Sequence, residues 1–151
     1  MREAIAEFVT NRHLITALLA MGLAQVLKVL FDYWYTKSWK RALFFSPGGM
    51  PSSHSALTVA LMVSVGMYEG FGTTAFAVCA ALALVVMYDA AGVRRAAGEQ
   101  AKAINFIFER LEDRGLKLDK KLKELLGHRP IEVMAGGILG LIVALAVSAI
   151  Y

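Results

Sequence analysis

Four long apolar blocks restrict this chain to a membrane architecture before any other feature is weighed. The third block runs from about Gly72 to Tyr88 without a charged residue, and the fourth from about Ile131 to Tyr151 with one charge, at Glu132. Crossing the hydrocarbon core takes roughly 20 helical residues, so both read as transmembrane helices. The first block, about Leu14 to Phe31, is interrupted by Gln25 and Lys28. The second, about Ser55 to Tyr68, is extended at its start by Ser52, Ser53 and His54. These two are shorter or more polar. None of the four alternates with period two, so a strand reading fails. With 58% hydrophobic residues in 151, the chain carries more apolar material than a fully wetted domain needs. The expected fold is an all-α, polytopic membrane helix bundle forming one domain. Its spans are expected at about 14–31, 52–68, 72–89 and 131–150, with an amphipathic loop at about 95–126.

The segment before the first block, MREAIAEFVTNRH, mixes acidic with basic residues, and no small-x-small cleavage site follows the apolar stretch. It is therefore expected to precede a retained helix rather than a signal peptide. The lone Cys79 lies mid-span and reads as a packing residue. Of the sixteen Lys and Arg residues, all except Arg2, Arg12 and Lys28 fall in the loops after the first and third blocks. Four spans place these two loops on one side, and the positive-inside rule assigns that side to the cytoplasm.

The net charge of +4 does not indicate a nucleic-acid partner. The basic residues from Lys102 to Lys123 are interleaved with Glu109, Glu112, Asp113 and Asp119. Ile104, Ile107, Phe108 and Leu111 recur there at helical spacing, as do Leu118, Leu122 and Leu125. The pattern predicts one or two amphipathic helices broken near Gly115, resting on membrane lipids or on the bundle, or simply connecting its spans. Gly136 and Gly140 form a G-x-x-x-G face that permits close helix contact, within the bundle or in a homodimer.

Three polar clusters exceed what anchoring requires. In Ser46-Pro47-Gly48-Gly49-Met50-Pro51-Ser52-Ser53-His54-Ser55, Gly49 and its neighbour free the backbone, and Ser52 or Ser53 can cap the following helix. A Gly-rich turn leading into a helix N-terminus gathers N–H groups suited to an anion. His54 in the first turn could then protonate a leaving oxygen; a plain cap with a solvent-facing His fits the same residues. In Gly127-His128-Arg129-Pro130-Ile131-Glu132, Pro130 suits the first helical turn. Glu132 lies four residues after His128 and could hold its imidazole by one nitrogen, leaving the other to attack phosphorus. A capping pair at the interface is the plainer reading, although an ionisable group inside a span defaults to a functional one. In Tyr88-Asp89-Ala90-Ala91-Gly92-Val93-Arg94-Arg95, Arg94 and Arg95 offer forked donors for phosphate and Asp89 could hold one of them. An ordinary basic helix end explains this third cluster equally simply. Lys28 either snorkels or faces the bundle interior and the same site.

Together the motifs resemble a known superfamily. Pro51-Ser52-Ser53-His54, followed by His128 and Glu132, is similar to the type 2 phosphatidic acid phosphatases and vanadium-dependent haloperoxidases. GGMPSSHSA, YDAAGVRRAAGEQA and LGHRPIEVMAGGILG look like the small, divergent branch of that superfamily, and the likeness extends from Gln25 to the end. It implies a phosphohistidine mechanism: His128 as nucleophile, His54 as acid to the leaving group, and Glu132, where Asp is usual, orienting His128. Basic residues replace metal ions in neutralising the phosphoryl oxygens. The chain departs from the pattern in having Ser53 where Gly is usual and Leu122 where an arginine is expected. Lys28, Lys40 and Arg41 are the available substitutes for the first motif, and Arg94 for the missing guanidinium.

The leading expectation is a lipid-phosphate or lipid-pyrophosphate phosphatase, with His128, His54 and Glu132 catalytic. Arg94, Arg95, Gly49, Ser52, Ser53, Lys28, Arg41 and Arg129 would bind phosphate, and Asp89 would support them. No metal or other cofactor is expected, because the carboxylates are scattered without ligand spacing. A non-catalytic binder or carrier of phospho-headgroups is the alternative. Haloperoxidase chemistry would use the same pocket, but a membrane setting argues against it.

Overall fold

In the computed structural model, residues 1–38, 49–112, 122 and 129–150 are described, without the side chains of Ala4, Arg94 and Glu112. Six helices follow one another: α1 (Arg2–Val9), α2 (Arg12–Thr36), α3 (Ser53–Glu69), α4 (Thr74–Ala91), α5 (Val93–Glu112) and α6 (Pro130–Ile150). No strand occurs among the described residues. The fold is the all-α bundle the apolar blocks require. α2, α4 running on into α5, and α6 are each long and apolar enough to cross a membrane.

The helix ends follow local chemistry. The Asn11 carboxamide accepts from the N–H groups of His13 and Leu14, each at 3.0 Å, so α2 begins at Arg12, ahead of the apolar block. It ends where Lys37 turns left-handed, at φ 52°, and donates its N–H to the Tyr33 carbonyl. Gly70, at φ 107°, stops α3, and the Thr73 hydroxyl starts α4 by accepting from Phe76 N–H at 3.2 Å. A four-residue turn thus reverses the chain.

α3 has 17 residues, a length of about 26 Å, and is the shortest of the long helices. It is also the central one, packing against α2, α4 and α6. This accounts for its polarity. Ser53, Ser55, Thr58 and Ser64 are buried in the bundle and never meet lipid. Hydroxyls in such a place are satisfied inside the protein: Thr58 donates to the His54 carbonyl at 3.0 Å.

The core is made of small residues. Ala20, Ala24, Ala56, Ala60, Val63 and Ala144 form it, with Val59, Met62, Leu139 and Val143 packed around them. The G-x-x-x-G face is used here, within the bundle. A Cβ on Gly136 would collide with the Ser52 carbonyl, and one on Gly140 with the Ala56 carbonyl. Glycine therefore lets α6 lie backbone to backbone against α3.

α5 differs from the periodicity that predicted it. Its buried face is Gly98, Ala101 and Asn105, whereas Ile104 and Ile107 are exposed. Arg94 and Arg95 belong to its first turn rather than to the end of α4, and Ala96 N–H donates to Gly92 at 2.9 Å.

The glycine contacts give a sharp expectation. Gly140→Ala should destabilise the bundle by about 1–3 kcal/mol, because the Ala56 backbone cannot yield. Gly22→Ala, with nothing within 4 Å of the added methyl, should be neutral or stabilising by up to about 1 kcal/mol. Thermal unfolding of the detergent-solubilised variants compares them directly.

Candidate functional site

The antiparallel run of the helices gathers four termini at one end of the bundle: the C-terminal ends of α2 and α4 and the N-terminal ends of α3 and α6. Most of the described candidate residues lie there.

Ser52 is the N-cap of α3 and is fully buried. Its hydroxyl oxygen accepts from Ser55 N–H at 3.4 Å and from the Ser55 hydroxyl at 3.0 Å. Its own N–H donates to the Glu132 carbonyl at 3.0 Å, tying the start of α3 to the first turn of α6. Of the two serines that could cap, Ser52 does so, and its oxygen is thereby committed to the helix. Ser53 is also buried. His54 follows as the second helical residue, with its side chain exposed. A helix start leaves its first N–H groups without intrahelical acceptors and carries partial positive charge.

Among the described residues Lys28 is the buried cation of this end, only 3% exposed, so it faces inward rather than snorkelling. Its stem packs on Gly49: a Cβ at Gly49 would lie 3.1 Å from both Cγ and Cδ of the lysine. Gly49 also has φ +91°, so two constraints select glycine there. The Glu132 carboxylate acts electrostatically on the Lys28 ammonium. Lys28, Gly49, Ser52 and Glu132, drawn from three separate stretches of sequence, therefore form one cluster.

Glu132 also has a local role. Its Oε2 accepts from Arg129 N–H at 3.1 Å, a capping arrangement that starts α6 behind Pro130. Arg129 itself is exposed. Asp89 is half-buried on the last turn of α4, and Arg95 is exposed on the first turn of α5. Arg94 lies in the same turn. His128 and Arg41 are outside the described residues, so the pairing of His128 with Glu132 is not on view. Beyond Lys28, Phe31, Trp34 and Tyr35 on the last turns of α2 border a cavity of about 390 Å³ together with Met50. Among the described residues no three His, Cys, Asp or Glu side chains converge.

Two features escaped the sequence reading. Asn105 is buried, and its carboxamide pairs with the backbone of Leu122: Nδ2 donates to the carbonyl at 2.8 Å and Oδ1 accepts the N–H at 2.8 Å. A lone polar residue on the small-residue face of α5 was the available signal. The second is a cluster at the opposite end of the bundle. There His13 Nδ1 shares a 2.9 Å hydrogen bond with Ser64 Oγ, and Nε2 lies 3.1 Å from Glu69 Oε1. Tyr68 meets the imidazole edge-on at 5.9 Å, and the Arg12 guanidinium lies 4.6 Å from the Tyr68 ring centre. The clue was that His13 opens the first span and Glu69 closes the second, which must be neighbours in an antiparallel hairpin.

Fold and cluster together define a class: an all-helical membrane protein with basic and helix-dipole charge concentrated at one end of a small-residue bundle. The chain belongs to the Divergent PAP2 family, whose model matches residues 9–143. It is 42% identical to the uncharacterised membrane protein YuiD of Bacillus subtilis (strain 168), over 94% of this chain and 97% of that one. No solved structure matches it.

Glu132 is expected to separate its two roles on substitution. Glu132→Ala removes the cap and should cost about 1 kcal/mol of stability. Glu132→Gln keeps an acceptor for Arg129 N–H and should cost less, while removing the charge beside Lys28. Chemical or thermal unfolding of both variants in detergent measures the difference.

Proposed function

We propose that this protein hydrolyses lipid phosphates or lipid pyrophosphates, without a metal, through a phosphohistidine. The observation that carries the reading is the cluster of the buried Lys28, the Gly49 backbone, the α3 N-terminus and Glu132 at one bundle end. Family membership supports it, since the family is a divergent branch related to phosphatidic acid phosphatases.

In this mechanism Lys28, Arg94, Arg95 and the first N–H groups of α3 neutralise the phosphoryl oxygens. Each well-aimed donor can contribute roughly 3–4 kcal/mol, by analogy with oxyanion holes of acyl transfer. One ring nitrogen of His128 attacks phosphorus; the P–N bond forms as the bond to the lipid oxygen breaks. His54 gives its proton to that leaving oxygen, which its exposed place in the first turn of α3 allows. Water then attacks the phosphohistidine, His54 takes the water's proton, and inorganic phosphate leaves as His128 is regenerated. Glu132 orients His128 with the oxygen not engaged by Arg129. The concentration of Lys and Arg in the flanking loops supports a site on the cytoplasmic side.

A second reading is a non-catalytic phospho-headgroup binder. It is favoured by two observations: Leu122 stands where the superfamily has an arginine, and Glu132 is already occupied as a helix cap. Phosphate release from lipid mono- and diphosphates in detergent separates the two. An enzyme should release phosphate in the presence of EDTA, lose it entirely with His128→Ala, and lose about 100-fold or more with His54→Ala. Lys28→Met, which keeps the stem against Gly49, should weaken inhibition by vanadate. No release from any substrate, with vanadate bound equally by wild type and His128→Ala, would leave the binder.

A further inference from the structure

α2 and α3 lie side by side, yet the surface between them has little relief. Ala20 and Ala24 meet a core containing Ala56, Ala60 and Val63, with Val59 and Met62 packed against it. The alanine methyls allow close approach, but they lack the large knobs that lock one helix axially into the holes of another. Axial register then leans on the ends of the pair.

At the Glu69 end the lock is specific. The His13 imidazole holds Ser64 Oγ at 2.9 Å by one nitrogen and stands 3.1 Å from Glu69 Oε1 by the other. Its two partners lie five residues apart on α3, so the ring is held from two stations along that helix and resists sliding in either direction. Tyr68 closes on the ring edge-on, and Arg12 stacks on Tyr68. Ser64 is 1% exposed, which keeps water from competing for that bond.

The clasp and the phosphate cluster stand at matching stations. Lys28 follows His13 by fifteen residues, about 22 Å of helix, and His54 precedes Glu69 by the same count on the antiparallel partner. α2 is unbroken between His13 and Lys28, so an axial displacement at one is carried to the other.

We infer that His13 is a positioning residue for the phosphate site: by clasping Ser64 and Glu69 it fixes the register of α2 on α3, and so the depth at which the Lys28 ammonium meets the α3 N-terminus. The inference rests on the phosphate reading given above. A slip of one residue would move Lys28 by about 1.5 Å, and misplacement of about 1 Å can cost on the order of 100-fold at a reacting centre.

The test uses orthovanadate binding, together with a distance between spin labels at Tyr35→Cys on α2 and Met67→Cys on α3 in a Cys79→Ser background. Both labelled positions are exposed, and the vector between them runs largely along the helices. His13→Ala should weaken vanadate binding about ten-fold and shift or broaden the distance distribution. His13→Gln, whose amide can still bridge hydroxyl and carboxylate, should recover most of both. Val143→Ala, a deletion on α6 where that side chain packs against the core, should lower stability while leaving both readouts in place. The inference is overturned if His13→Ala perturbs affinity and distance no more than Val143→Ala does. Wild-type protein that fails to bind vanadate would remove the phosphate reading and the positioning role with it, whereas the label distance would still report whether the clasp sets register.

Discussion

The close approach of α6 to α3 is the constraint on which the rest of the structure depends. Glycine at positions 136 and 140 brings the α6 backbone against the carbonyls of Ser52 and Ala56. In a membrane, helices gain little from hiding apolar surface from one another, since lipid is equally apolar. Close backbone packing and internal hydrogen bonds take that place. The same contact fixes the level of Ser52 on α6, which lets Ser52 N–H reach the Glu132 carbonyl. The start of α3 is thus held within the bundle end rather than left to fray at an interface. The other described groups at that end are arranged around a helix N-terminus braced by α6.

That arrangement offsets part of the cost of burying Lys28, in which desolvation outweighs the attraction of Glu132. An ammonium removed from water is costly unless charge or dipole compensates it. Here Glu132 supplies opposite charge, and the lysine stem is sheathed by Gly49, whose missing Cβ is what makes room. A positive side chain beside a positive helix end would otherwise be an unfavourable pairing. The combination is suited to a bound anion, which would relieve both at once. This electrostatic argument, rather than the presence of any single motif residue, gives the phosphate reading its physical content.

Much of this was legible in the chain. The uncharged run to Tyr88 and the run ending the chain could only be helices in lipid, and the Pro51-Ser52-Ser53-His54 stretch announced a capped helix start. The two more polar blocks were harder to read for one reason. Hydropathy measures how a side chain would meet lipid, and the hydroxyl-bearing face of α3 does not meet lipid, because it packs against the neighbouring helices. Its serines and threonines therefore signal centrality. In α5 the apolar periodicity drew attention to Ile104 and Ile107, whereas the buried face is the one with the smallest side chains and Asn105. Small-residue faces are faint in a hydrophobicity pattern, and they dominate this bundle. Pairings between distant segments, such as His13 with Glu69 or Lys28 with Gly49, needed the antiparallel register, which no local pattern prints.

The departures from the superfamily motifs acquire a physical sense in this frame. Where an arginine would project its guanidinium toward phosphate, Leu122 instead offers its backbone to the Asn105 carboxamide through two 2.8 Å bonds. The Leu122 backbone is thereby tied to α5. A site without that arginine needs another fixed positive group, and Lys28 is the described cation buried deeply enough to serve without a large loss to solvent screening. A lysine is a compact point charge that lacks the planar fork of arginine, so it stabilises charge without dictating orientation. Orientation would then fall to the N–H groups of α3, which are rigid because Ser52 caps them and α6 braces them. On this view the divergent site trades a flexible bidentate side chain for a buried point charge set against a fixed helix end, and its precision becomes a property of helix packing.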